Sequence, residues 1–187
     1  MHSSLSDLLH AWHDFYVLVG TASATLVGLM FVTASVAASL FTEQNREGVK
    51  AFISPTVVHF SEVLFVCILA AIPSQTWLTL ALLLALGGVA GLIYSARVWM
   101  QLFVRRRFDV DIVDRLFYAF LPVVGYLLGL ISAVALWTQS PWSLELLAAA
   151  LITLLLAGIR NAWDMTIWIV IRTPVPDAGR QPPAAQG

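Results

Sequence analysis

The chain has 187 residues, of which 59% are hydrophobic and 11% are charged, with a formal net charge of −1. About one residue in four is charged in a typical soluble domain, so this chain has too few polar side chains to cover a folded surface in water. Several apolar stretches have the length of about twenty residues that a helix needs to cross a bilayer, and none shows the alternation of an outer-membrane strand. The composition therefore predicts an all-α integral membrane protein.

Residues 1–14 are predicted to form a short amphipathic helix at the membrane interface. In SSLSDLLHAWHDFY, leucines and aromatic residues recur at helical spacing, while Asp7, His10 and Asp14 fall elsewhere on the helical wheel. The spacing of His10, His13 and Asp14 is compatible with a metal site on a helix. No fourth ligand is evident, so we favour exposed polar residues and expect neither a metal nor another cofactor.

Residues 15–172 are predicted to form one transmembrane domain of five helices. The predicted spans are 15–40, 55–73, 76–99, 116–137 and 142–163. No basic residue precedes the first span, and this span is longer than the apolar core of a signal peptide, so we expect no cleavage. Residues 173–187 are rich in proline, alanine and glycine and are expected to form a disordered cytoplasmic tail.

The basic residues predict how the chain is oriented. Of the ten arginines and lysines, the eight outside the spans all belong to the first loop, the third loop or the tail: Arg46, Lys50, Arg105, Arg106, Arg107, Arg115, Arg172 and Arg180. Basic residues accumulate in cytoplasmic segments. The pattern therefore predicts a multi-pass protein of the inner (cytoplasmic) membrane, with its N-terminus outside and its C-terminus in the cytoplasm.

Small residues recur at four-residue intervals within three of the predicted helices. Such faces let helix backbones approach each other closely in lipid. The faces consist of Gly20, Ala24 and Gly28 in the first span, Gly87 and Gly91 in the third, and Gly125 and Gly129 in the fourth. We favour packing between helices of one chain over the alternative, an interface between subunits.

A polar cluster interrupts the last apolar stretch, GIRNAWDMTIWIVIR. A charge at the bilayer centre costs about 2.5–3.5 kcal/mol on insertion scales. Two charges there would therefore cancel most of the favourable insertion free energy of the helix's leucines. We therefore place Arg160, Asn161 and Asp164 at the inner interface. Arg160 and Asp164 are one helical turn apart and are expected to pair.

Glu62 is the deepest ionisable residue of the predicted bundle. It precedes Pro73 by eleven residues, which places it about 16 Å from the outer boundary and close to the midplane. His59 lies on the same helix face. Either the two residues relay protons or coordinate a cation, or Glu62 is protonated or hydrogen bonded to a hydroxyl and fixes the helix register; the sequence favours the second interpretation. Candidate neighbours are Thr25 and Tyr94 as hydrogen-bonding partners and Arg97 as a counter-ion.

No catalytic motif is present. The chain has no P-loop, dinucleotide fingerprint, His-Glu-x-x-His pair or nucleophile elbow, so we expect no enzyme, and no nucleic acid is expected as a partner. The first hypothesis is a homo-oligomeric ion or proton channel, or transporter subunit, that uses Glu62 and His59. The alternative is a non-catalytic accessory or regulatory subunit that docks on another membrane protein. The expected partners are the lipid bilayer and a second copy of the chain or another membrane protein.

Overall fold

The computed structural model describes residues 4–40, 46–104 and 120–172, with the side chains of 4–35, 55–100, 120–164, 166 and 167. These residues contain six helices and no strand: α1 Leu5–Ala11, α2 His13–Leu40, α3 Arg46–Ala71, α4 Trp77–Val104, α5 Leu121–Trp137 and α6 Ser143–Arg172. The predictions for the arginine-rich third loop and the disordered tail lie outside the described residues.

Three of the helices are long and apolar enough to cross a membrane. These segments are His13–Ser35, Trp77–Met100 and Ser143–Asp164. In the most apolar stretch of each segment, no more than half of the residues are buried inside the protein. Large apolar side chains such as Leu18 and Leu86 are therefore exposed on the outer surface. A surface of this kind suits lipid and not water. Pro55–Ala71 and Leu121–Trp137 are shorter apolar helices, and the five-span count stays a prediction.

The helices pack in chain order except at α3, which packs on α6 instead of on α4. Helix α2 packs along α3, α3 along α6, α6 along α5, and α5 along α4. Helices α3 and α4 are consecutive, but they touch at few positions, and we call this loose contact the α3–α4 seam. Residues from α3, α4, α5 and α6 nevertheless line one small central cavity. These four helices therefore surround a common centre, and α2 lies against the outside of α3.

Two short turns, 72–76 between α3 and α4 and 138–142 between α5 and α6, lie at the same end of the bundle. Tyr16 of α2 is close to Cys67, which lies near the first turn, and to Glu145, which follows the second. We call this end the hairpin end. It is the end that the sequence analysis predicts to be outside.

Helix α1 covers part of the hairpin end. Its first turn is closed by a capping box, in which the Ser4 hydroxyl accepts from the Asp7 amide and the Asp7 carboxylate accepts from the Ser4 amide. Leu5 and Leu9 are buried in the main apolar core, whereas Asp7 and His10 are exposed. The apolar side of α1 thus packs on the protein itself. Its position at a membrane interface stays a prediction.

Two serine hydroxyls connect neighbouring helices through main-chain carbonyls. The Ser23 Oγ of α2 donates to the Phe60 carbonyl of α3 at 2.6 Å. The Ser132 Oγ of α5 donates to the Ser143 carbonyl of α6 at 2.8 Å. Both serines are fully buried. Because hydrogen bonds of this kind replace water in a dry interior, they fix how α2 sits on α3 and how α5 sits on α6.

Most of the glycines on the predicted small-residue faces lie against another helix of the same chain. A Cβ built on Gly20 would touch Cys67, one on Gly125 would collide with Leu154, and Gly87 and Gly91 also lack room for one. The remaining members differ: a Cβ on Gly28 or Gly129 would meet nothing within 4 Å, and Ala24 is exposed. Contact inside one chain therefore accounts for four of these positions.

Candidate functional site

Glu62 lies on the α3–α4 seam, away from both ends of α3. It precedes the end of α3 at Ala71 by nine residues, a distance of about 14 Å along a helix. Its half-buried carboxylate rests on Gly87 of α4, where any Cβ would overlap Oε1. Gly87 follows the start of α4 at Trp77 by ten residues, which gives a similar depth of about 15 Å. Both helices therefore place this contact at a similar distance from the hairpin end.

A cavity of about 20 Å³ adjoins Glu62 at the centre of the four helices. Its polar lining comes from Glu62 and Tyr126, while Gly88, Gly125 and Gly129 leave room for it and leucines complete the wall. A space of roughly 10–15 Å³ or more, in the same measure, can hold one water molecule if polar partners are present. The cavity therefore has the size and the lining of a site for a single water.

Tyr126 connects this cavity to His59. The Tyr126 hydroxyl lies 3.0 Å from His59 Nδ1, and both residues are about 98% buried, with exposed fractions of 2% each. The Tyr126 ring packs over Gly91 of α4, and a Cβ at Gly91 would overlap the ring. Two glycines of α4, one turn apart, thus make room for these side chains: Glu62 packs against Gly87 and Tyr126 packs against Gly91.

The structure brings together three of the five residues predicted for a polar pathway. Glu62 and Tyr94 are both near enough to Tyr126 to interact with it electrostatically, and His59 is hydrogen bonded to it. Thr25 is exposed, and its hydroxyl donates to the Thr21 carbonyl of its own helix at 2.8 Å.

The predicted counter-ion does not join this group. Arg97 is exposed, and within the described residues Glu62 makes neither an ion pair nor a hydrogen bond with another protein group. An ionised carboxylate without a cation is costly away from water, whereas a protonated carboxyl group is tolerated and can donate a hydrogen bond. The arrangement therefore favours a carboxyl group that holds a proton.

The described residues contain no group of three histidine, cysteine, aspartate or glutamate side chains that could hold a metal ion. This includes the N-terminal segment, where the rings of His10 and His13 are 6.5 Å apart between centroids. His10, His13 and Asp14 are all exposed.

The polar cluster of α6 has a different character. Arg160 Nε lies 3.2 Å from Asp164 Oδ2, and the two side chains are 40% and 21% exposed. Asn161, between them in sequence, is fully buried. This ion pair matches the spacing of one helical turn. Its level at the inner interface stays a prediction.

Sequence analysis did not identify Tyr126. A tyrosine in an apolar helix usually belongs to the core, and no spacing within α5 relates it to Glu62 or His59. The one signal was its neighbour Gly125, which belongs to a predicted packing face. Tyr126 becomes significant once α3 and α5 are known to share a cavity.

No protein-family model, curated protein or solved structure matches this chain. What the site can do must therefore be read from its own geometry. The relevant features are the depth of Glu62, the adjoining cavity, and the hydrogen bond between Tyr126 and His59.

Proposed function

We propose that this protein is a multi-pass inner-membrane protein in which Glu62 binds and releases protons, as part of a homo-oligomeric proton channel or proton-coupled transporter. The observation that carries the proposal is the Glu62 carboxyl group, which lies near mid-membrane depth beside a cavity of about 20 Å³ and has no cationic partner among the described residues. Ionisable groups at such depth are expensive to place and commonly mark ion or proton pathways.

A proton fits the site better than a metal cation. Metal cations in proteins are held by several oxygen ligands at once. The polar residues that line the cavity are Glu62 and Tyr126, and its volume corresponds to a single water molecule. A proton needs no such shell, because one carboxyl group and one water suffice to bind it and pass it on.

Five spans with the N-terminus outside remain the topology that we propose. Helix α5, with 17 residues, covers about 26 Å, and the apolar part of α3 has a similar length. The turns 72–76 and 138–142 are short, so each returns the chain directly across the same layer. The excess of basic residues in alternate segments supports a cytoplasmic C-terminus.

The alternative is an accessory subunit that docks on another membrane protein. The observation that favours it is the uncovered stretch of α2, where Ala24 and Gly28 are exposed and a Cβ on Gly28 would meet no other residue. The same surface would serve self-association in the first proposal. A partner helix could approach closely at this point.

Proton flux in proteoliposomes separates the two functions. We expect the wild-type protein to acidify or alkalinise the lumen when a potential is applied, and we expect Glu62→Gln to abolish this flux, because an amide cannot exchange the proton. Glu145→Gln is the matched control, since Glu145 is exposed in the first turn of α6. Equal flux in wild type and Glu62→Gln would overturn the role of Glu62. Wild-type liposomes no leakier than empty ones would favour the accessory subunit.

A further inference from the structure

Polar groups extend from Glu62 in one direction only. Gly87, Gly91 and Ser95 follow each other at four-residue intervals on one face of α4 and run away from the hairpin end. Glu62 lies over Gly87 and Tyr126 over Gly91. Ser95 comes one turn further, is 5% exposed, and has a buried Oγ with no hydrogen-bonding partner. This row of positions spans about 12 Å, from the middle of the bundle toward the end opposite the hairpins.

The other direction from Glu62 is apolar. The cavity wall on the hairpin side is formed by Val66, Leu84 and Leu147, and all three are at least 96% buried. Beyond them the core continues with Leu80 and Leu144, which are also fully enclosed. A proton cannot be passed along aliphatic side chains. Inside the bundle, exchange between Glu62 and water therefore uses the side on which Tyr126 and His59 lie.

We infer that Tyr126 and His59 form a proton relay that connects Glu62, through one water in the central cavity, with the end of the bundle opposite the hairpins. The inference rests on the proposed function of Glu62. It adds which residues carry the proton to and from Glu62, and which end of the bundle they connect it with. Tyr126 is the bridging group, because it shares the cavity with Glu62 and lies 3.0 Å from His59 Nδ1. Gly91 is needed because its missing side chain leaves room for the Tyr126 ring.

The relay moves one proton without a co-reactant. The Glu62 carboxyl group donates its proton to the cavity water, and the resulting hydronium donates one to Tyr126 Oη while the original hydroxyl proton of Tyr126 passes to His59 Nδ1. The products are a Glu62 carboxylate, a neutral water, a neutral tyrosine and a His59 imidazolium. The imidazolium then passes its Nε2 proton to a water molecule on the side opposite the hairpins, which leaves His59 neutral with a proton on Nδ1. Transfer in the reverse order returns a proton to Glu62.

Deuterium exchange of the Glu62 carboxyl group tests the relay independently of transport. The infrared C=O band of Glu62 in nanodiscs is assigned by its loss in Glu62→Gln, and its isotope shift is followed after transfer to D₂O. We expect Tyr126→Phe to slow this exchange at least about tenfold, because general acid–base groups in position typically accelerate proton transfer by about 10²-fold or more. Tyr16→Phe is the matched control, since Tyr16 is equally buried but its hydroxyl has no partner and lies near the hairpin end.

His59→Asn provides the second variant. An asparagine places a hydrogen-bonding atom close to the position of Nδ1, so Tyr126 keeps a partner, but this atom cannot take up a proton at working pH. We expect slow exchange here as well. A purely structural role for the His59–Tyr126 hydrogen bond predicts instead that His59→Asn exchanges at the wild-type rate.

The outcomes separate the relay from the proposed function. Unchanged exchange in Tyr126→Phe overturns the relay, and if Glu62→Gln still abolishes flux, the function of Glu62 stands without it. Slow exchange in Tyr126→Phe and His59→Asn supports the relay even if wild-type proteoliposomes show no proton flux. That combination would overturn the proposed transport function and leave the relay standing. Equal slowing in Tyr16→Phe would show that the loss of any buried hydroxyl suffices, and it would also overturn the relay.

Discussion

Glu62 and Asp164 are carboxylates that both lie within apolar helices of this protein, and their surroundings differ. Asp164 has the Arg160 guanidinium one turn away at 3.2 Å, and both side chains keep some exposure. Among the described residues Glu62 has no cationic partner, and its carboxylate rests on the backbone of Gly87 beside a cavity that Tyr126 shares. The two groups thus differ in what surrounds them and not in the apolar character of the helices that carry them.

The two sites also differ in cost. Arg160 and Asp164 neutralise each other on the helix surface, where an ion pair changes the free energy of unfolding only slightly. A carboxyl group without protein partners reduces stability, because its hydrogen-bonding capacity is not met by the fold. Proteins retain groups that disagree with the local environment chiefly at functional sites. Each of the following substitutions tests this difference.

The largest effect is expected for Gly91→Ala, which disturbs the surroundings of Glu62 by displacing Tyr126. The new Cβ would overlap the buried ring, and overpacking of a filled core costs about 3 kcal/mol at the upper end of its usual range. The free energy of unfolding, measured by detergent titration in mixed micelles, should fall accordingly. Gly28→Ala is the control, since its Cβ would meet nothing within 4 Å. Equal effects of the two substitutions would mean that the Tyr126 ring is not held on Gly91.

The next effect has the opposite sign. Glu62→Leu should raise the unfolding free energy by about 1–2 kcal/mol, because it replaces a poorly satisfied polar group with an apolar side chain of similar length. The same titration measures it. Asp164→Leu serves as the paired comparison and should be neutral or slightly destabilising, because it removes one half of an ion pair. A loss of stability in Glu62→Leu would identify Glu62 as a structural group and remove the contrast between the two sites.

A smaller effect is expected at the ion pair itself. Arg160→Leu should lower the unfolding free energy by at most about 1 kcal/mol, because a pair with one member 40% exposed is screened by its surroundings. A double-mutant cycle with Asp164→Leu isolates the interaction. A coupling energy well above this value would place the pair in a far less polar environment than its exposure indicates.

The smallest stability effect is expected for Gly129→Ala, although this residue lines the central cavity. Its new methyl group would meet nothing within 4 Å, so the unfolding free energy should change by less than about 0.5 kcal/mol. Gly125→Ala, whose Cβ would collide with Leu154, should be clearly destabilising. If the two alanine variants are equally stable, the cavity does not have the shape described above.

The sequence was informative where local spacing alone determines a contact. The helical pattern of residues 3–16 predicts which side of α1 is apolar, and Leu5 and Leu9 are indeed buried. The four-residue interval between Arg160 and Asp164 predicts a pair that the structure contains. The membrane depth predicted from the distance between Glu62 and Pro73 stays a prediction.

What the sequence did not reveal depends on the order of helices around the bundle. Nothing in the chain indicates that α3 packs on α6 more closely than on α4. Tyr126 therefore had no visible relation to His59, and Thr25 was a plausible neighbour of Glu62 until α2 was found on the other side of α3. Gly87 was predicted to be a packing position. Its contact with the Glu62 carboxylate becomes visible only when the positions of α3 and α4 relative to each other are known.

The loose α3–α4 seam also determines when Glu62 acquires its neighbours during biosynthesis. Because α4 covers α3 so sparingly, most of the surroundings of Glu62 are supplied by α5 and α6, which the ribosome makes last. Until α5 and α6 are made, the nascent chain carries in α3 both Pro55 and a carboxyl group that lacks its final neighbours. Assembly of the central site is thus one of the last events of biogenesis, and a chain released after α4 would lack Tyr126 altogether.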